Sequence, residues 1–196
     1  THCISSAASD VYKRQAQYED KLPDGYTKIH KGVAYDDNAF RLFFERFGSE
    51  EWFRRTLFVF VADHVSSEKF AAQTRSYPGN YHIIGFMYTP DGALRGEVSE
   101  VVQQLDIMPT LLGLLGNREP YFAFGRDVLN EPQRPQWSVS WDGAFQAVTN
   151  DGTIRFDDAQ ETPAASSARD SLLQDFRALV QQYYSHAEKK SYIVHD

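Results

Sequence analysis

The chain has 196 residues, 42% of them hydrophobic and 24% charged, with a formal net charge of −7. That length can bury one sizeable core or form part of a larger one. The acidic balance excludes a nucleic-acid binder, which needs a basic surface, and no apolar run approaches the roughly 20 residues that span a bilayer.

The first fifteen residues stand apart. Ser5 to Gln15 back-translates into a string that looks like a transposon-based sequencing-library adapter read through in frame. Residues 1–15 are therefore expected to be a disordered scar and are set aside from fold reasoning. Cys3, the only cysteine, falls inside it, and a cysteine-free remainder fits an extracytoplasmic protein. The remainder, residues 16–196, is expected to be the C-terminal part of a longer catalytic domain.

Gln17 to Thr27 is polar and holds the turn signal Pro23-Asp24-Gly25. From His30, the spacing of Val33, Asp37, Phe40, Phe44 and Phe47 predicts an amphipathic helix ending at Gly48. Its aromatic stripe reads as core. Ser49 to Phe53 reads as a connector with a helical turn. Thr56-Leu57-Phe58-Val59-Phe60-Val61-Ala62-Asp63-His64 then reads as a buried strand, parallel and covered on both faces, that stops at two ligand-type side chains. In open α/β sheets, ligands gather at the carboxyl ends of strands. An Asp-His pair there can hold a divalent cation through a carboxylate oxygen and an imidazole nitrogen. The plain alternative is a strand ending in a solvated polar turn.

A short helix is expected around Glu68–Gln73, and a second buried strand over Tyr81–Tyr88, closed by the turn Thr89-Pro90-Asp91-Gly92. Val98 to Leu105 reads as extended. Asp106 reads as the N-cap of a helix over Ile107–Leu115, with Gly116 as its stop. Gln104 and Asp106 are weaker functional candidates, and capping is the better reading for Asp106. Glu119 to Pro135 is loop-rich. Trp137–Trp141 alternates as a half-exposed strand, and Ala144–Val148 and Thr153–Phe156 flank the hairpin signal Asn150-Asp151-Gly152. Glu161 to Ser167 reads as a linker. Asp170 to Lys189 predicts a helix with Leu172, Phe176, Leu179, Val180 and Tyr183 on one face.

Five stretches in this order carry a resemblance. They are Tyr35-Asp36; Trp52-Phe53 with Thr56–Phe60 and Ala62-Asp63-His64; Gln104 with Asp106–Leu112 and Leu115-Gly116; Pro120–Asp127; and Leu179–Tyr183. Together they resemble the C-terminal half of the lipoteichoic acid synthase-like phosphoglycerol transferase/sulfatase family, within the alkaline phosphatase superfamily. The resemblance implies an α/β fold, a three-layer α/β/α alkaline phosphatase-like sandwich, here with a small antiparallel sheet and a C-terminal helix. It implies a divalent metal (manganese, magnesium or zinc) beside a nucleophilic threonine. By position Asp63 and His64 match the family's Asp-His metal ligands, whereas the threonine and a glutamate ligand belong to the preceding half. The catalytic nucleophile is thus expected to lie outside this chain. His82, near the start of the second strand, is a candidate substrate-binding residue. The implied parent sits in the cell membrane through preceding helices, with an extracytoplasmic catalytic domain that acts on a phospholipid or glycan-type substrate. Sulfatase and phosphoethanolamine transferase activities are the neighbouring readings, and a non-catalytic surface domain is the reading from another class.

Overall fold

The computed structural model describes residues 22–66, 68, 71–134, 136–156 and 167–189. The adapter-like residues 1–15 and most of the expected 161–167 linker lie outside the described residues. The chain divides into two compact units, residues 1–96 and 97–196.

In the first unit a long helix, α1 (Lys28–Phe47), is followed by one helical turn, α2 (Glu51–Arg54). The aromatic spacing of α1 explains its burial, with a shift of the stripe. Phe43, Phe44 and Phe47 form the inward face, while Val33 and Phe40 are largely exposed. Phe43 and Phe44 both lie against Phe53 of α2, with ring centroids 6.2 and 5.4 Å apart. Phe53 is 3% exposed, which makes it the centre of this core. Edge-on and tilted ring pairs of this kind add about 0.5–1.5 kcal/mol each beyond the area they bury.

The expected Thr56–His64 strand is shorter, β1 (Phe58–Val61), and its partner is β2 (Gly85–Tyr88). The two are antiparallel, in the register Phe58↔Tyr88 to Val61↔Gly85. This corrects the expectation of parallel strands covered on both faces. The apolar run had looked like a parallel core strand, but its alternate residues do two jobs. Phe58, Phe60 and Tyr88 meet Phe44 of α1 on one face. Val61, on the other face, keeps substantial exposure. Residues 69 and 70 of the expected helix around Glu68–Gln73 lie outside the described residues; among the described ones a 3-10 turn spans Ala72–Thr74, and a second, Gly79–Tyr81, occupies the expected start of β2. The Thr89–Gly92 turn forms as predicted. Gly92 donates to the Thr89 carbonyl at 2.9 Å with φ of 69°, a conformation that favours glycine.

The second unit opens with a 3-10 turn at Gln104–Asp106 that runs into helix α3 (Ile107–Leu114). It continues through a looped segment to the antiparallel sheet β3 (Trp137–Trp141), β4 (Phe145–Thr149) and β5 (Gly152–Phe156), and ends in helix α4 (Ser167–Lys189). The sheet order β3-β4-β5 is that of two successive hairpins. Asn150-Asp151 makes the second turn, as its sequence predicted, with Thr149 opposite Gly152. Leu172 and Phe176 of α4 are buried, and Phe176 lies 4.6 Å ring to ring from Phe145 of β4. Each unit is thus an antiparallel sheet with a helix against it. A mixed α/β content is shown; a third layer is not seen among the described residues.

Candidate metal centre

Asp63 and His64 follow directly on the ladder. Ala62 donates to the Ile84 carbonyl at 3.0 Å, one step beyond Val61, and the chain then bends at Asp63-His64. Strand pairing therefore holds the backbone up to the residue before the pair. The side chains themselves are open, 86% exposed for Asp63 and 78% for His64. Two local hydrogen bonds orient them. Asp63 Oδ1 accepts the His64 backbone N–H at 2.9 Å. His64 Nδ1 lies 2.7 Å from the Val65 carbonyl, an acceptor only, so the Nδ1 proton must donate there. In the neutral ring this leaves the Nε2 lone pair facing outward.

His64 Nε2 and Asp63 Oδ2 stand 3.8 Å apart, too far for a hydrogen bond. Two ligands each about 2.1 Å from one ion sit roughly 3.0–3.4 Å apart, so a small side-chain rotation would close the gap. The donor set therefore fits a divalent cation. It contains one anionic oxygen and one imidazole nitrogen, and the second ring nitrogen is fixed by a carbonyl, as is usual for ligating histidines. Among the described residues no group of three or more His, Cys, Asp or Glu side chains could hold an ion.

His82 follows the Gly79–Tyr81 turn, exposed, with its backbone N–H donating to the Gly79 carbonyl at 3.2 Å. Because β1 and β2 are antiparallel, His82, just before β2, lies at the same end of the ladder as His64, just after β1. The antiparallel pairing is what makes this so; in a parallel arrangement the two would stand at opposite ends of their strands.

The other candidate, Asp106, is structural but not in the predicted way. No side-chain cap bond to α3 is present. Its Oδ2 reaches back to the Gln103 N–H at 3.0 Å, and its Oδ1 accepts the Arg126 N–H at 2.8 Å, twenty residues on. It serves as the third residue of a capping box on the preceding 3-10 turn. Asp106 is 3% exposed, beside a buried Thr110 that donates to the Asp106 carbonyl and accepts from Val128. Asp127 continues this polar set, with Oδ1 capping Leu129 and Asn130 and Oδ2 bonded to the Asn130 amide at 2.7 Å. Arg126 and Asp127 end the Pro120–Asp127 stretch that carries the resemblance, but their structural roles do not show in the sequence because they sit in a non-periodic loop. The one available signal was Asp127 two and three residues ahead of backbone donors, an Asx-turn pattern.

A family model described as Sulfatase matches residues 1–117. Lipoteichoic acid synthases of Staphylococcus aureus strains USA300 and NCTC 8325 are each 25% identical over 127 residues, which is 64% of this chain and 18% of theirs. The chain thus spans under a fifth of the length of these curated relatives. No solved structure matches.

Proposed function

The chain belongs to the Sulfatase family; we propose that it is the metal-holding, C-terminal portion of an enzyme that acts on phosphate esters in the manner of a phosphoglycerol transferase. The observation that carries this reading is the Asp63–His64 pair at the end of the β1 ladder, with Nδ1 tied to Val65 and Nε2 left to a ligand. Similarity to lipoteichoic acid synthases directs the reading to phosphoesters. In this role Asp63 supplies an anionic oxygen and His64 a neutral nitrogen to manganese, magnesium or zinc. Once bound, the ion would lower the pKa of a hydroxyl nucleophile and neutralise charge on the phosphoryl oxygens. The nucleophile is a threonine contributed from outside this chain. His82, at the same end of the β1–β2 ladder as His64, contributes hydrogen bonds to the ester oxygens. The same similarity supports a parent anchored in the cell membrane with its catalytic domain outside; among the described residues no helix is long and apolar enough to cross a membrane.

The description of the family model favours a second reading, hydrolysis of a sulfate ester at the same pair. Kinetics of the parent protein decide between them. With a phosphodiester and a sulfate ester as parallel substrates, Asp63→Asn and His64→Gln should each lower turnover by more than the roughly 10–100-fold typical of changes around a metal's outer shell. His82→Gln should raise KM more than it lowers kcat. Undiminished turnover in both pair variants would exclude this site. Faster sulfate-ester than phosphodiester hydrolysis would select the second reading.

A further inference from the structure

Between the Asp63-His64 pair and His82 the chain makes the two 3-10 turns, Ala72–Thr74 and Gly79–Tyr81. The first closes through the Thr74 N–H, which donates to the Ala71 carbonyl at 3.1 Å, and the Arg75 N–H, which donates to the Ala72 carbonyl at 3.2 Å. The second closes through the Tyr81 N–H, which donates to the Pro78 carbonyl at 2.9 Å. The Tyr77 and Tyr81 rings brace it edge to face, with centroids 5.9 Å apart.

Gly79 is where the two turns touch. A Cβ there would collide with the Gln73 carbonyl oxygen and come within 2.9 Å of its carbon, so backbone lies directly against backbone. Glycine permits such an approach because it has no side chain. Space is the reason and not conformation, since Gly79 does not adopt a positive φ. The carbonyl of the same Gly79 accepts the His82 N–H at 3.2 Å. Two residues beyond His82, the Ile84 carbonyl accepts the Ala62 N–H at 3.0 Å. The His82 backbone is thus anchored on one side by the sheet and on the other by Gly79. Its side chain is exposed, so these anchors, rather than packing around the ring, set where the imidazole starts from.

We infer that Gly79 is a positioning residue for substrate binding, an inference that rests on His82 meeting the ester oxygens. Any side chain at position 79 drives the second turn off the first and moves the carbonyl that holds His82. A displacement of about 1 Å in such a group can cost up to about 100-fold. Steady-state kinetics of the parent protein with a phosphodiester test this, with calorimetric binding of glycerol 1-phosphate as a readout that needs no turnover. Gly79→Ala should raise KM about tenfold or more, keep kcat within about threefold, and weaken glycerol 1-phosphate binding in proportion. Added to His82→Gln, it should change KM by less than about twofold, because the group it positions is then gone. Since a backbone clash can also impair folding, Tyr81→Ala is the second variant. It removes one ring of the Tyr77–Tyr81 pair, loosens the same turn without a clash, and should raise KM in the same non-additive way. A lower kcat at unchanged KM, or effects of Gly79→Ala and His82→Gln that multiply, would reduce Gly79 to a folding role and overturn the inference. Unchanged KM in His82→Gln itself would remove the substrate role of His82 and the inference with it. Unchanged KM in Gly79→Ala beside a raised KM in His82→Gln would overturn the role of Gly79 alone.

Discussion

Two aspartates with equal local credentials ended up in opposite situations. Asp63 follows β1 with its side chain 86% exposed, and its Oδ1 accepts the N–H of its neighbour His64. Asp106 opens α3 at 3% exposure, with both oxygens committed to backbone donors three and twenty residues away. A carboxylate whose lone pairs are filled by the chain stabilises the chain. One that stays open to solvent at a strand end can still be reached by a ligand. The contrast teaches that burial, rather than residue type, separates structure from function here.

The largest way to break this comparison is Asp106→Ala. It leaves two buried backbone N–H groups without their charged acceptor, and hydrogen bonds to charged groups are worth about 1.5–3 kcal/mol each. A loss of roughly 3–5 kcal/mol in urea unfolding is expected, and a loss below 1 kcal/mol would sink the structural role. Gly125→Ala comes next. A Cβ there would collide with the Leu105 carbonyl, one residue before Asp106, and backbone cannot swing aside. About 1–3 kcal/mol should be lost, measured in the same way. Asp63→Asn, by contrast, should leave stability within about 0.5 kcal/mol, as for exposed sites generally. On the isolated chain, manganese titration should give at best weak affinity, because two ligands rarely suffice; a submicromolar constant would show that the described residues hold a complete site.

The smallest expected effect sharpens the same point at the far end of β2. Asp91 is held below the ordinary aspartate range, first by the Ala93 backbone N–H and then by the Thr89 hydroxyl. The group is exposed, so its contribution to stability is slight. With a depressed folded pKa, that contribution is present at neutral pH and disappears as pH falls through the lowered value. Carbon-detected NMR titration should find Asp91 titrating below the ordinary aspartate range, and Thr89→Val should move it upward.

The local chemistry was legible because it is local. Asn150-Asp151-Gly152 and Thr89–Gly92 specify their turns by what glycine, proline and asparagine allow at single residues. The α4 stripe of Leu172 and Phe176 follows from a period of 3.6, and the metal candidates from an apolar run halting at Asp-His. Strand direction was not legible. Thr56–His64 reads alike whether its partner runs parallel or antiparallel, because an apolar run records burial and not the path of its neighbour. The α1 stripe was incomplete for the same reason: Phe40 meets Phe60 and Phe44 meets Phe53, but Phe43 joins them only because of where Phe53 and Phe58 lie.

By itself the sequence determined the turns, the helices, the position of the Asp63–His64 pair at a strand end and the family it points to. The tertiary structure alone decided that β1 and β2 run antiparallel, which puts His82 at the same end of the ladder as His64. It alone decided that Asp106 faces Arg126 over twenty residues of intervening chain. The reason is physical: turn and helix preferences are set within about four residues, whereas register and the supply of partners to a buried polar group depend on segments whose separation along the chain carries no pattern.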